Sequence, residues 1–371
     1  MVSKLLKLDW ILIISVFLLL GIGLLSLYSI SSANQKEETL SIFTRQSVFA
    51  AMGILIMFFF IFFDYHYFLS YSKTIYFLAL IFLAIVLFWG STVRGTAGWI
   101  EIGILRIQPV EIAKLALVIF LASFISQKKL ELGELGRIII SLILTGIMIF
   151  LVLRQPDLGS AAILGGIWLG LVTICGIKKK FLIVLAISIL VLIFASWAYL
   201  ADYQKARIVA FLQPESDPQG SGYNVIQSKI AIGSGGITGK GIGHGSQSQL
   251  NFIPERHNDF IFAVIAEEWG LFGALLVIFL FLVIFYRIKV IACQAPDNFG
   301  YLLAVGILVF YFLQVMINIG MNVGIVPVAG ISLPFLSYGG SFLIISLAAL
   351  GILLNISAKK ETLRNNPSLS D

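Results

Sequence analysis

Charge is scarce in this chain: Asp, Glu, Lys and Arg make up only 12% of its 371 residues. An ordinary soluble domain carries about a quarter. With half that supply missing, a water-facing surface cannot be covered, and a soluble globular fold is excluded. Cysteine is limited to Cys175 and Cys293, neither in a C-x-x-C or Cys/His cluster, which excludes zinc and redox motifs. His257 has no metal-spaced partner, so no dedicated metal cage is expected. Proline is sparse, with 9 residues, which leaves long helices unbroken. The net charge of +6 is spread over many short loops rather than one face, which points to membrane anchoring and away from nucleic acid.

Apolar residues make up 59% of the chain, 30 of them Phe. Apolar segments of spanning length fall at about 10–30, 46–63, 74–90, 108–126, 137–153, 158–176, 181–200, 260–286, 299–323 and 332–356. Each reaches or nearly reaches the ~20 residues that a bilayer requires. The expected fold is therefore all-α, a single polytopic domain over 1–371 with about ten transmembrane helices. The first run follows Lys4 and Lys7 as a signal peptide would, but its length marks a retained helix. Lys178, Lys179 and Lys180 are the clearest cytoplasmic anchor. The positive-inside rule then puts both termini in the cytoplasm, with a short tail at 357–371, and places the large loop 201–258 outside. A loop that long is functional or disordered, and Ile226, Ile230, Phe252 and Ile253 within it favour order.

Glycines crowd the stretch from Gly233 to Gly245. A Walker A spacing would need glycine at Ser234 and Ser or Thr at Gly241. A G-x-G-x-x-G spacing fails at Thr238, His244 and Ser246. No nucleotide is expected; the glycines allow close backbone approach to a neighbour or a ligand.

Three constellations carry chemistry. Glu111 and Lys114 stand three apart inside a span, so they share a helix face. A lone charge there costs ~2.5–3.5 kcal/mol or more, and the pair either pins helices together or lines a polar cavity. In the stretch 254–270, Asp259 stands where the loop enters a span. It is either a helix N-cap or a functional carboxylate beside the small Ala263 and Ala266, while Glu268 points elsewhere. Finally Asn318, Asn322, Pro327, Pro334, Ser337, Tyr338, Gly339 and Gly340 are expected to break the last two spans against an outward-opening polar cavity.

These segments resemble the SEDS family (shape, elongation, division and sporulation). The resemblance is carried by R-I-Q-P-V-E-I-A-K-L-A at 106–116, R-Q-P-D-L-G-S-A at 154–161, the run 214–241, the run 247–270 and L-P-F-L-S-Y-G-G-S at 333–341. It extends nearly end to end. Gln249–Phe252 and the P-E-S-D-P run look like the elongation branch. Two positions depart from the family pattern: Asn258 replaces the usual threonine, and Gly98 precedes Trp99 where Arg is common.

The resemblance implies a glycosyltransferase that polymerises lipid II into peptidoglycan at the bacterial cytoplasmic (inner) membrane. It also implies a complex with a class B penicillin-binding transpeptidase and other elongation-machinery proteins. Asp259 matches the family's essential aspartate and is the expected catalytic base. Lys114, oriented by Glu111, is expected to meet the leaving pyrophosphate, with Arg207, Lys229, Lys240 and Arg256 as further substrate-binding candidates. A divalent cation, Mg2+ or Mn2+, suits the phosphate chemistry. The alternatives are a flippase for the lipid-linked precursor and a non-catalytic scaffold.

Overall fold

The computed structural model describes residues 8–33, 37–93, 96–102, 105–127, 134–174, 205, 209, 211–213 and 222–365. The expected span at 181–200 and the candidate Arg207 lie outside the described residues. In chain order the long helices are α1 (Trp10–Ala33), α2 (Glu37–Phe62), α4 (Ser72–Trp89), α5 (Pro109–Ser126), α6 (Glu134–Arg154), α7 (Leu158–Ile174), α10 (Ile261–Cys293), α11 (Asn298–Val323) and α12 (Gly340–Asn365). Shorter ones are α3 (His66–Ser70), α8 (Tyr223–Ser234) and α9 (Ser246–Gln249). Among the described residues eight helices are long and apolar enough to cross a membrane, and α7 is a shorter apolar helix. This is a polytopic helical membrane protein.

Three details depart from the sequence reading. A small antiparallel sheet, β1 (Ser91–Val93), β2 (Thr96–Ile102) and β3 (Leu105–Ile107), follows α4. Its β-branched residues suit a pleated hairpin, and these strands are too short to register as a period. Helix α11 runs through Asn318 and Asn322 without a break, because both side chains bond outside their own helix. The last helix starts at Gly340, later than expected, and Leu333–Gly339 forms a turn ahead of it.

Helices α5, α7, α11 and α12 hold the core, with Leu117, Ile167, Phe310 and Leu350 buried there. Apolar residues such as Phe59, Phe88 and Phe279 face outward, as a lipid-facing surface requires. At the far ends of α2 and α12 a polar knot ties three segments together. Asp64 pairs with Lys359 at 2.5 Å, His66 reaches Asp64 and Asp297, and the Tyr65 hydroxyl donates to Asp297. The opposite ends of α2, α11 and α12 converge on the site described next.

Candidate active site

A cavity of about 780 Å³, including its open mouth, is lined by Asp157, Asp259, Asn258, Gln108, Trp99 and Tyr338, among others. Its walls are helix ends and the segments that join them. Gln108 is the N-cap position of α5 and its backbone N–H donates to the Ser341 hydroxyl oxygen at 3.3 Å. Asp157 precedes α7, and its Oδ1 accepts the Ser160 N–H at 2.9 Å, the ordinary capping bond of an aspartate.

Asp259 sits in the turn ahead of α10. That helix takes Phe260 as its N-cap, with no side-chain capping bond, so Asp259 does not occupy the capping position. Nor does it share a helical face with Ala263 and Ala266, which are buried in the core. Its backbone is fixed instead. The side-chain amides of Asn318 and Asn322 each donate to the Asp259 carbonyl at 2.9 Å, and Asn322 Oδ1 accepts the Ala263 N–H at 3.2 Å. One residue earlier, the Ser337 hydroxyl donates to the Asn258 carbonyl at 2.6 Å. A loop held by this many bonds gives its carboxylate a defined position. Gly330, with φ +67, passes close by: a Cβ there would stand 3.7 Å from Asp259 Oδ2.

The other candidates divide from Asp259 sharply. Lys114 bonds Glu111 Oε1 at 2.8 Å, and its side chain is 1% exposed. The pair lies just inside Gln108 on α5, and neither residue is among those that line this cavity. Lys240 is held by Glu267 at 2.8 Å. Arg256 is buried and donates to the carbonyls of Ser248 and Gln249, the latter at 3.4 Å; burial lowers its pKa. Lys229 is exposed on α8, its stem packed over Gly324. His257 stacks edge-on with Tyr338.

Glu267 and Glu268 are equally structural. Glu267 accepts from Lys240 and from the N–H groups of Gln247 and Ser248, at 2.8 and 2.9 Å. Glu268 accepts from Ser29 at 2.6 Å, Gln249 at 2.9 Å and the Gly243 N–H at 3.2 Å. The glycine-rich stretch therefore meets a neighbour in its own chain. Among the described residues no cluster of three or more His, Cys, Asp or Glu could hold a metal.

Asp157 lines the same cavity as Asp259, and sequence reasoning passed it over. It stood in a quoted motif and was assigned no role of its own. The usable signal was its side of the membrane, since the turn at 154–157 falls on the same face as the large loop.

An all-helical membrane fold with a carboxylate-bearing cavity at one end defines the class, and comparison defines the family. The profile for cell cycle proteins of the FtsW, RodA and SpoVE group matches residues 9–362, and the chain belongs to that family. It is 40% identical over 314 residues to the peptidoglycan glycosyltransferase MrdB of Escherichia coli (strain K12), covering 84% of this chain and 85% of that one. It is 39% identical over 355 residues to stage V sporulation protein E of Bacillus subtilis (strain 168), covering 94% and 96%. A solved chain from a peptidoglycan synthase complex that coordinates polymerization and crosslinking matches with TM-score 0.81 and 31% identity, over 95% of this chain and 98% of that one.

Proposed function

We propose that this chain is a peptidoglycan glycosyltransferase that polymerises lipid II during cell-wall elongation, with Asp259 as its general base. One observation carries the reading: Asp259 lines an open polar cavity, while its main chain is clamped by Asn318 and Asn322. The acceptor sugar hydroxyl gives its proton to Asp259 and attacks the anomeric carbon of the lipid-linked donor. The bond from that carbon to the diphosphate oxygen breaks, and undecaprenyl pyrophosphate leaves with the electron pair. Displacement from the opposite face inverts the anomeric centre. A positioned base contributes ~10²–10⁴-fold to such a step.

The donor set also suits a hard divalent cation, which is commonly held by one or two carboxylates together with substrate phosphates. Asp157 and Asp259 line one cavity, and Asp157, with one oxygen engaged at α7, would hold the ion. When bound it would supply positive charge to the departing diphosphate. Lys114 and Glu111 then act at a distance, by fixing the start of α5 and with it Gln108. The large loop faces outside the cytoplasmic membrane and both termini face the cytoplasm. A class B penicillin-binding transpeptidase is the expected partner, by analogy with the synthase complex that the chain resembles.

The test is a gel assay of lipid II polymerisation by purified protein in detergent, with and without the transpeptidase. Glycan ladders that vanish with Asp259→Asn support the reading. A chain that moves lipid II between leaflets of vesicles but builds no polymer in detergent overturns it in favour of a flippase.

A further inference from the structure

Helix α10 is two helices joined at a break. Gly270 has φ +66 and ψ −160, a conformation open only to glycine, and it separates 261–269 from 271–293. A break leaves the carbonyls before it and the N–H groups after it without helical partners. The glycine-rich loop supplies them. Lys240 N–H and Gly241 N–H donate to the carbonyls of Glu267 and Glu268 at 3.1 and 2.9 Å. In return the N–H groups of Leu271 and Phe272 donate to the carbonyls of Gly236 and Ile237, at 2.9 and 3.4 Å. The backbones touch: a Cβ on Gly239 would stand 2.2 Å from the Glu268 carbonyl oxygen.

Two polar anchors set the height of this loop in the bilayer. Arg287 of α10 grips Asp9, at the start of α1, through bonds of 2.6 to 3.0 Å. At the other end of the same two helices, Ser29 bonds Glu268 at 2.6 Å. The stretch of α1 from Asp9 to Ser29 is about 30 Å long at 1.5 Å per residue. A bilayer's hydrocarbon core is also about 30 Å thick. The surface of α10 between its anchors, from Leu271 through Leu275 and Phe279 to Leu282, is exposed and apolar. Glu268 therefore marks the edge of the hydrocarbon on the cavity side. Phe272, one turn further in, lies about 6 Å below that edge.

Ile237 is bonded at the level of Phe272 and is 65% exposed; Ile242, beside the Gly243 that bonds Glu268, is 53% exposed. Charge presents little obstacle, since the loop's lysine, Lys240, is neutralised by Glu267. Irregular backbone at such depth requires its polar groups to be satisfied by protein, and the bonds across the break do that.

We propose that the loop 236–250 is an interfacial element seated in the cavity-side leaflet, with Ile237 and Ile242 among phospholipid acyl chains. The loop is then a lipid-facing lip next to the helix that follows Asp259, and its apolar face continues the lipid-facing surface of α10.

Site-directed spin labelling tests this on the full chain in phosphatidylethanolamine–phosphatidylglycerol vesicles, in a Cys175→Ser, Cys293→Ser background. Nitroxides on Ile237→Cys and Ile242→Cys are compared with labels on Phe279→Cys, facing lipid, and Lys289→Cys, near the far end of α10. Both loop labels should collide readily with oxygen and poorly with a water-soluble nickel chelate, as Phe279→Cys does. A nickel-dominated, water-like pattern overturns the proposal. So does exclusion of both reagents with spin coupling between copies, which would mean a protein interface. Should labelling perturb the fold, Ile237→Trp and Ile242→Trp in the otherwise native chain give a second reading. Phospholipid brominated on its acyl chains should then quench more fluorescence than in the parent, and equal quenching contradicts lipid burial.

Discussion

Asp259 and the pair Glu267–Glu268 stand within ten residues of one another and have opposite fates. Asp259 lies on an irregular turn whose backbone is clamped and whose carboxylate lines a cavity. Glu267 and Glu268 lie on a helix, are buried, and spend their oxygens on a lysine, a serine, an amide and backbone N–H groups. The turn that carries Asp259 is held through its main chain, and Glu267 and Glu268 are held through their side chains. Substitution should therefore separate turnover from stability.

The largest effect is expected at Asp259. Asp259→Asn should lower lipid II polymerisation by ~10²–10⁴-fold with thermal unfolding unchanged. Asp157→Asn keeps a good N-cap, so α7 should stay intact. The divalent cation needed for half-maximal polymerisation should rise at least about 10–100-fold, the loss that even indirect metal partners produce. An unchanged cation requirement would remove Asp157 from the cavity's chemistry.

The buried pairs should behave in the opposite way. Lys114→Met strands Glu111 and should cost about 3–5 kcal/mol in stability. The double variant Glu111→Leu, Lys114→Met should recover much of that loss in a denaturation series. Equal damage in both would contradict a stranded Glu111 as the source of the loss. Glu267→Ala removes the acceptor of the Gln247 and Ser248 N–H groups and should cost about 1–3 kcal/mol, with turnover per folded molecule retained.

Much of the architecture was legible in the sequence. Spanning length and scarce charge gave the helices, since each apolar run has only one stable state in lipid. The cavity was legible only in part. The Glu111–Lys114 contact could be read from spacing. Position left Asp259 open between an N-cap and a functional carboxylate, and only the family resemblance singled it out. The fate of Lys240 and Arg256 could not be read, because their partners Glu267, Ser248 and Gln249 meet them through the fold rather than through a period. The asparagines of α11 were read as helix breakers; they are long-range clamps, which no local pattern distinguishes. Asp157 was hidden by its capping role, a common one for aspartate.

The smallest expected effect lies at the opposite end of the molecule. Burial alone would raise the Asp64 pKa, but bonds from Lys359 and His66 outweigh it and lower the group from 3.8 to about 2. Asp64 therefore stabilises the fold above pH 3.8, and that contribution fades as pH falls toward 2. The carboxylate is partly exposed, 42% by side chain, so the effect is modest. The difference in thermal midpoint between parent and Asp64→Asn should shrink between pH 4 and pH 2, and a constant difference would contradict the ion-paired carboxylate.

The most direct test of the division between the two kinds of carboxylate is a paired measurement of polymer formed per folded molecule for Asp259→Asn and Glu267→Gln, alongside their unfolding midpoints. Loss of polymer at a native midpoint for the first, with a lowered midpoint at near-native turnover for the second, is the predicted result. A fully active Asp259→Asn, or a Glu267→Gln that folds normally and makes no polymer, would contradict it.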